Sequence, residues 1–75
     1  MQQFRRCTAI IEREEDGFIS LCPELAIASQ GTTIEESRAN LVEALTLFFE
    51  SADSAEIERR LHSEVFVTQV EVPVG

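Results

Sequence analysis

Two cysteines and one histidine are the residues of this 75-residue chain whose types could support nucleophilic, redox or metal chemistry. A two-residue turn at Asp16-Gly17 would place Cys22 opposite Ile11 in a hairpin. Cys7 then lies about 13 Å from Cys22, at about 3.3 Å per residue, and a slightly longer loop does not close that gap. A disulfide requires Cα atoms within about 7 Å, so both cysteines are predicted to be buried, reduced thiols.

The histidine, His62, has no cysteine or second histidine at metal-ligand spacing. It is predicted to lie near the C-terminus of a short helix, where the helix dipole favours a cation, rather than to act as a catalytic base. Arg59-Arg60 and Arg5-Arg6 are too few charges for a nucleic-acid patch and are expected to be solvated. No catalytic residue, metal site or cofactor is predicted, and we do not expect an enzyme.

Carboxylates form two groups that could attract a partner. One is an acidic turn, and the other is a ridge of glutamates seven residues apart on the outer face of a helix. Solvated turns and outer helix faces are commonly charged, but the same charges would also speed encounter with a basic protein. The candidate partner-binding residues are Glu14, Glu15, Asp16, Glu36, Glu43 and Glu50.

The long helix that follows Gln30-Gly31 is the element that must position the ridge. Thr32 and Thr33 each have a glutamate three residues later, so either can cap the helix. Its apolar residues fill an arc of roughly 160°, wide enough to lie flat on a sheet. They are Ile34, Leu41, Val42, Ala44, Leu45, Phe48, Phe49 and Ala52. A second short helix, capped by Asp53 or Ser54, is predicted to end near His62.

Alternating residues predict four strands, at residues 3–13, 18–22, 25–29 and 65–74. The expected fold class is α+β, a single domain over residues 1–75. Its mixed four-stranded sheet has the order 3-2-1-4, with one long helix on one face. The other face, carrying Ile10, would have no cover within the chain. Exposed apolar area of that kind predicts a homodimer or higher oligomer.

The amino-acid composition makes some classes of partner and some cellular locations less probable than others. Fourteen acidic residues against six arginines give a net charge of −8, which repels nucleic acid and attracts basic proteins. The N-terminus lacks the apolar core of a signal peptide, and no run approaches the roughly 18 apolar residues of a membrane span. The cytoplasm is therefore the expected compartment.

The runs CTAIIE, EEDGF, CPELAIASQG, TIEE and NLVEALTLFFE together resemble the N-terminal domain of HicB antitoxins. The likeness is strong over residues 4–50 and weak over 65–72. It implies a β-β-β-α-β partial ribonuclease-H-like fold and neutralisation of a small basic messenger-RNA-cleaving HicA-type toxin by occlusion of its active site. Family antitoxins commonly add a C-terminal DNA-binding domain. The chain ends at Gly75 without residues for one, so direct nucleic-acid binding is not expected.

The ribonuclease-H likeness also raises a two-metal nuclease with Glu12, Glu43 and Glu71 as ligands. Glu12 falls beside the turn and Glu43 on the outer helix face, so these carboxylates are not expected to converge on a metal. Two function classes remain. One is an antitoxin that binds a basic toxin, and the other is an orphan HicB-like regulatory or scaffold domain that acts through self-association.

Overall fold

The computed structural model describes residues 4–61 and 64–75. Three strands come first, β1 (Ile10–Glu14), β2 (Gly17–Cys22) and β3 (Ile27–Gly31). Two helices follow, α1 (Ile34–Ser51) and α2 (Ser54–Leu61). The strands form one antiparallel sheet in the order β1-β2-β3, and α1 packs across it, principally over β3 and β2.

The predicted mixed four-stranded sheet with one long helix is wrong. The sheet has three strands, all antiparallel, and there are two helices. Residues 64–75 contain no strand or helix, and Phe66, Val70 and Val74 are 84%, 78% and 96% exposed. The alternating valines indicate that this segment could pack on the surface of a sheet. Strand pairing also requires a neighbouring strand with a free edge. Because β1 starts only at Ile10, the sheet edge that β1 could offer to a fourth strand is five residues long.

The first hairpin turns one residue earlier than the sequence suggested. Glu14 pairs with Gly17, so the turn residues are Glu15 and Asp16 rather than Asp16-Gly17. This change moves the whole β1–β2 register by two positions and places Ile10 opposite Leu21. The third strand also begins two residues later than predicted, at Ile27.

The core lies between the sheet and α1. Its fully buried apolar residues are Cys22, Leu25 and Leu41, and Leu45, Phe48 and Phe49 pack against them. The predicted apolar arc is only partly correct, because Ile34 and Val42 are each 49% exposed whereas Ser37 is completely buried. The helix is therefore rotated so that a small polar residue faces the sheet.

The second helix is tied to the core through its last turn. Its start is capped by Asp53, whose carboxylate accepts a hydrogen bond of 2.8 Å from the Glu56 N–H, as predicted. Arg60 donates to the Leu25 carbonyl at 2.8 Å and lies 5.2 Å from the centre of the Phe48 ring. The prediction of a solvated arginine pair is thus wrong for Arg60. His62 lies outside the described residues.

Candidate functional site

An open cleft of about 450 Å³ lies where the β1–β2 turn approaches the N-terminus of α1. Three carboxylates line it, those of Glu14, Asp16 and Glu36. Phe18 and Ile19 contribute apolar surface to the same cleft. The combination can hold the aliphatic stem of a long basic side chain while carboxylates face its charged end. We call this surface the acidic cleft.

Glu36 is fixed in the acidic cleft by the capping of α1. Its Oε1 accepts hydrogen bonds from the Thr32 N–H at 2.7 Å and from the Thr32 hydroxyl at 3.0 Å. The hydroxyl of Thr33, the N-cap residue, accepts from the Glu36 N–H at 3.0 Å. The bond from the Thr32 backbone, followed by that from its hydroxyl, lowers the pKa of Glu36. The carboxylate is therefore held charged in a defined position.

Two glycines allow the walls of the acidic cleft to approach each other. A Cβ added at Gly17 would collide with the Gly31 carbonyl oxygen. A Cβ added at Gly31 would lie 2.5 Å from the Ser37 N and 2.8 Å from the Glu36 carbonyl carbon. Asn40 adds a further link by donating to the Gln30 carbonyl at 2.8 Å. The turn, the end of β3 and the first turn of α1 are therefore packed backbone against backbone.

The structure brings together half of the six candidate partner-binding residues. Glu14, Asp16 and Glu36 line the acidic cleft, whereas Glu15 is exposed in the adjoining turn. Glu43 and Glu50 are exposed farther along α1 and do not line the cleft. Phe18, Ile19 and Gln30 also line the cleft, and none of them was predicted to do so. The signals available for them were the flanking Gly17 and Gly31, which permit close approach.

A second surface is the sheet face turned away from α1. Leu21 is opposite Ile10 on one side and Ala28 on the other, and Ile19 lies between Glu12 and Gln30. Because alternate residues share a face, these six side chains form two adjacent rows. Leu21 is 38% exposed, and Ile10 and Ile19 are partly buried. We call this the open sheet face. It carries Ile10, as predicted.

Both cysteines are free thiols. Cys22 is completely buried, and Cys7 is half-buried against the core cluster that contains Cys22. Burial raises the pKa of the Cys22 thiol to about 11. Burial also raises the pKa of Cys7, and an interaction with the Cys22 thiol partly offsets that rise. The predicted wide separation of the two side chains is wrong.

The three carboxylates considered as nuclease ligands lie on separate elements. Glu12 is in β1, Glu43 is on the exposed side of α1, and Glu71 is exposed in the segment after α2. In the described ranges, no group of three or more histidine, cysteine, aspartate or glutamate side chains is arranged to hold a metal ion. Neither α1 nor α2 has the length and apolar character needed to span a membrane.

The fold and these surfaces define a small α+β protein with a helix-covered antiparallel sheet, an acidic cleft and an open sheet face. UPF0150 protein ssl0738 of Synechocystis sp. is 40% identical over 68 residues, which cover 88% of this chain and 93% of the relative. The chain belongs to the UPF0150 family. No family model matches the chain, and no solved structure does either.

Proposed function

We propose that this chain is the antitoxin of a type II toxin–antitoxin pair and that it binds a small basic HicA-type toxin through the acidic cleft. Three features support the proposal. Residues 4–50 resemble HicB antitoxins, the net charge is −8, and the cleft combines three carboxylates with apolar walls. The cleft carries the most weight, since it defines where a basic side chain would bind. The role is binding and occlusion rather than catalysis.

The carboxylates of the acidic cleft and those farther along α1 have different roles in the proposed contact. In the acidic cleft, a toxin arginine or lysine would lay its stem on Ile19 and direct its cation towards Glu14 and Asp16. Close charge pairs of this kind act mainly on dissociation. Glu43 and Glu50 lie outside the cleft, so their charge would act at long range on association.

Two charge-reversal variants with the same change in charge test this division. Glu14→Lys/Asp16→Lys alters the acidic cleft, and Glu43→Lys/Glu50→Lys alters the exposed side of α1. Glu36 is left unchanged because it caps the helix. Stopped-flow binding to an inactivated HicA-type toxin should show at least about tenfold faster dissociation for the cleft variant. The α1 variant should mainly slow association.

Protection of RNA from the active toxin provides the functional readout. The cleft variant should lose protection at antitoxin concentrations where the α1 variant still protects. Equal kinetic effects of the two variants would remove the acidic cleft as the binding site. Absence of binding by the unaltered chain would overturn the proposal itself.

The open sheet face favours a second candidate, an orphan HicB-like regulatory or scaffold domain that acts by self-association. Leu21 and Ala28 are exposed in the middle of a sheet whose other face is covered by α1. A second copy stacked on this face would bury the Ile10–Leu21–Ala28 row. Leu21→Glu should therefore abolish dimers in sedimentation, whereas Leu47→Glu, at a 57% exposed leucine of α1, should not. Equal sedimentation of both variants and the unaltered chain would exclude this surface.

A further inference from the structure

The observed hairpin register shortens the offset expected between Cys7 and Cys22. Ile10 is opposite Leu21, so Ala9 falls level with Cys22, and Cys7 is two residues beyond Ala9. Residues 4–9 precede β1 and form no strand, so packing and side-chain hydrogen bonds rather than a strand ladder bring Cys7 towards Cys22.

Packing brings the two side chains together. Cys22 is 0% exposed and forms the core with Leu25 and Leu41, and Cys7 packs against this cluster. The core cluster that contains Cys22 is therefore the surface on which the Cys7 side chain rests.

A carboxylate holds the segment of Cys7 against the end of β2. Glu24 accepts hydrogen bonds from the Thr8 hydroxyl at 2.6 Å and from the Thr8 N–H at 3.1 Å. Its other oxygen accepts from the Cys22 thiol at 3.4 Å. Glu24 therefore contacts both Cys22 and the residue next to Cys7. This anchor positions the sulfurs without any covalent link.

We propose that Cys7 and Cys22 are a redox pair that closes to an intramolecular disulfide on reaction with a low-molecular-weight disulfide such as oxidised glutathione. The half-buried Cys7 thiolate attacks the oxidant, forming a mixed disulfide and releasing one glutathione thiol. The Cys22 thiolate then attacks the Cys7 sulfur and releases the second. The two cysteines lose two protons and two electrons, and the oxidant is reduced to two thiols. The bridge ties residues 4–9 to the core.

The test uses the full chain under native conditions, with oxidised glutathione as the oxidant. After an acid quench and alkylation, intact mass should show a monomer that is lighter by two hydrogens and carries no alkyl group. Digestion without reductant should yield one peptide pair joined through Cys7 and Cys22, and dithiothreitol should reverse the change. The Cys7→Ser variant should show no bridge.

A Glu24→Gln variant tests the anchor. It loses the charged acceptor of Thr8, so it should accumulate more of the mixed disulfide with glutathione than the unaltered chain does. Any of three results would overturn the proposal: two alkylated cysteines after oxidation, a reaction that stops at the mixed disulfide in the unaltered chain, or bridges formed only between chains. The test does not involve the acidic cleft and is independent of toxin binding.

Discussion

Two buried serines face each other at the centre of the molecule, and their hydroxyls differ in one respect. The Ser20 hydroxyl donates to the Ser37 carbonyl at 2.9 Å, whereas the Ser37 hydroxyl has no hydrogen-bond partner among the described residues. Both residues are 0% exposed. A buried hydroxyl without a partner costs about 1–3 kcal/mol, and serine is also a poorer helix former than alanine.

Substitution by alanine should therefore affect the two positions in opposite directions. Ser37→Ala should raise the free energy of unfolding by up to about 1 kcal/mol, and Ser20→Ala should lower it by about 1 kcal/mol. Urea titrations measure both, and an unchanged slope would show that only stability has changed. A less stable Ser37→Ala variant would mean that this hydroxyl does have a partner in solution.

Glu24 makes stability depend on pH. Desolvation opposes its ionisation, but hydrogen bonds from the side chain and backbone of Thr8 outweigh that effect, and the pKa of Glu24 is lowered below 4.5. A carboxyl whose pKa is lower in the folded state stabilises the fold above its unfolded pKa. That contribution is lost as pH falls through the folded pKa.

The stability of the chain should thus fall on acidification below about pH 4.5, and Glu24→Gln should reduce the slope of that fall. Urea unfolding measured from about pH 7 to about pH 3 tests this expectation. Glu43→Gln, at an exposed carboxylate of α1, is the matched control. An identical pH slope in Glu24→Gln and the unaltered chain would contradict the role assigned to Glu24.

At the scale of elements, the contact of α1 with the end of β3 depends on the absence of a side chain at Gly31. A Cβ there would meet backbone atoms of Glu36 and Ser37 at 2.5–2.9 Å. Backbone atoms in a capped helix turn cannot move aside as the end of a flexible side chain can. Gly31→Ala should therefore cost about 1–3 kcal/mol, towards the upper end of the range for overpacking.

The acidic cleft should also respond to this substitution, because Glu36 belongs to the displaced turn. Thermal unfolding measures the loss of stability, and Ser29→Ala, at the neighbouring half-buried position of β3, provides the control. If Gly31→Ala melted at the same temperature as the control, the close approach would be less tight than the structure indicates.

Local signals in the sequence predicted most of the elements. Thr33 and Glu36 identified the start of α1, and Asp53 identified the start of α2. The pairing and packing of elements distant in the sequence were harder to predict. The two-position change in register follows from a turn one residue earlier than Asp16-Gly17, and it shortens the offset expected between Cys7 and Cys22. Packing against the core then brings Cys7 towards Cys22. The last predicted strand failed because alternation does not specify a pairing partner.

Part of the candidate site could also be predicted from local signals in the sequence. The carboxylates Glu14, Asp16 and Glu36 could be selected by type, since acidic residues on a turn and a first helical turn attract cations. Their convergence could not, because it depends on Gly17 and Gly31 bringing two distant segments into backbone contact. Phe18 and Ile19 read as ordinary strand residues, and only the tertiary packing makes them walls of the cleft.

At the scale of the whole molecule, the compact part of the chain does not include the segment after α2. The radius of gyration is 14.6 Å, against about 11 Å for a compact domain of this length. Exposed valines of that segment and the open sheet face leave apolar surface on a chain with a net charge of −8. Apolar surface favours association with a second copy, whereas the shared negative charge opposes it.

Raising the salt concentration should therefore have opposite effects on the two proposed associations. Screening at about 0.15 M salt reduces the Debye length to about 8 Å and weakens both repulsion and attraction between exposed charges. Self-association of two chains of the same charge should strengthen as salt rises from about 0.01 M to about 0.15 M, while binding to a basic toxin should weaken. Sedimentation of the chain alone and stopped-flow association with the toxin measure the two effects. The Glu43→Lys/Glu50→Lys variant, with less negative charge, should show a smaller salt dependence in both experiments. Self-association that weakens with salt would mean that charge pairs, rather than the open sheet face, hold two copies together.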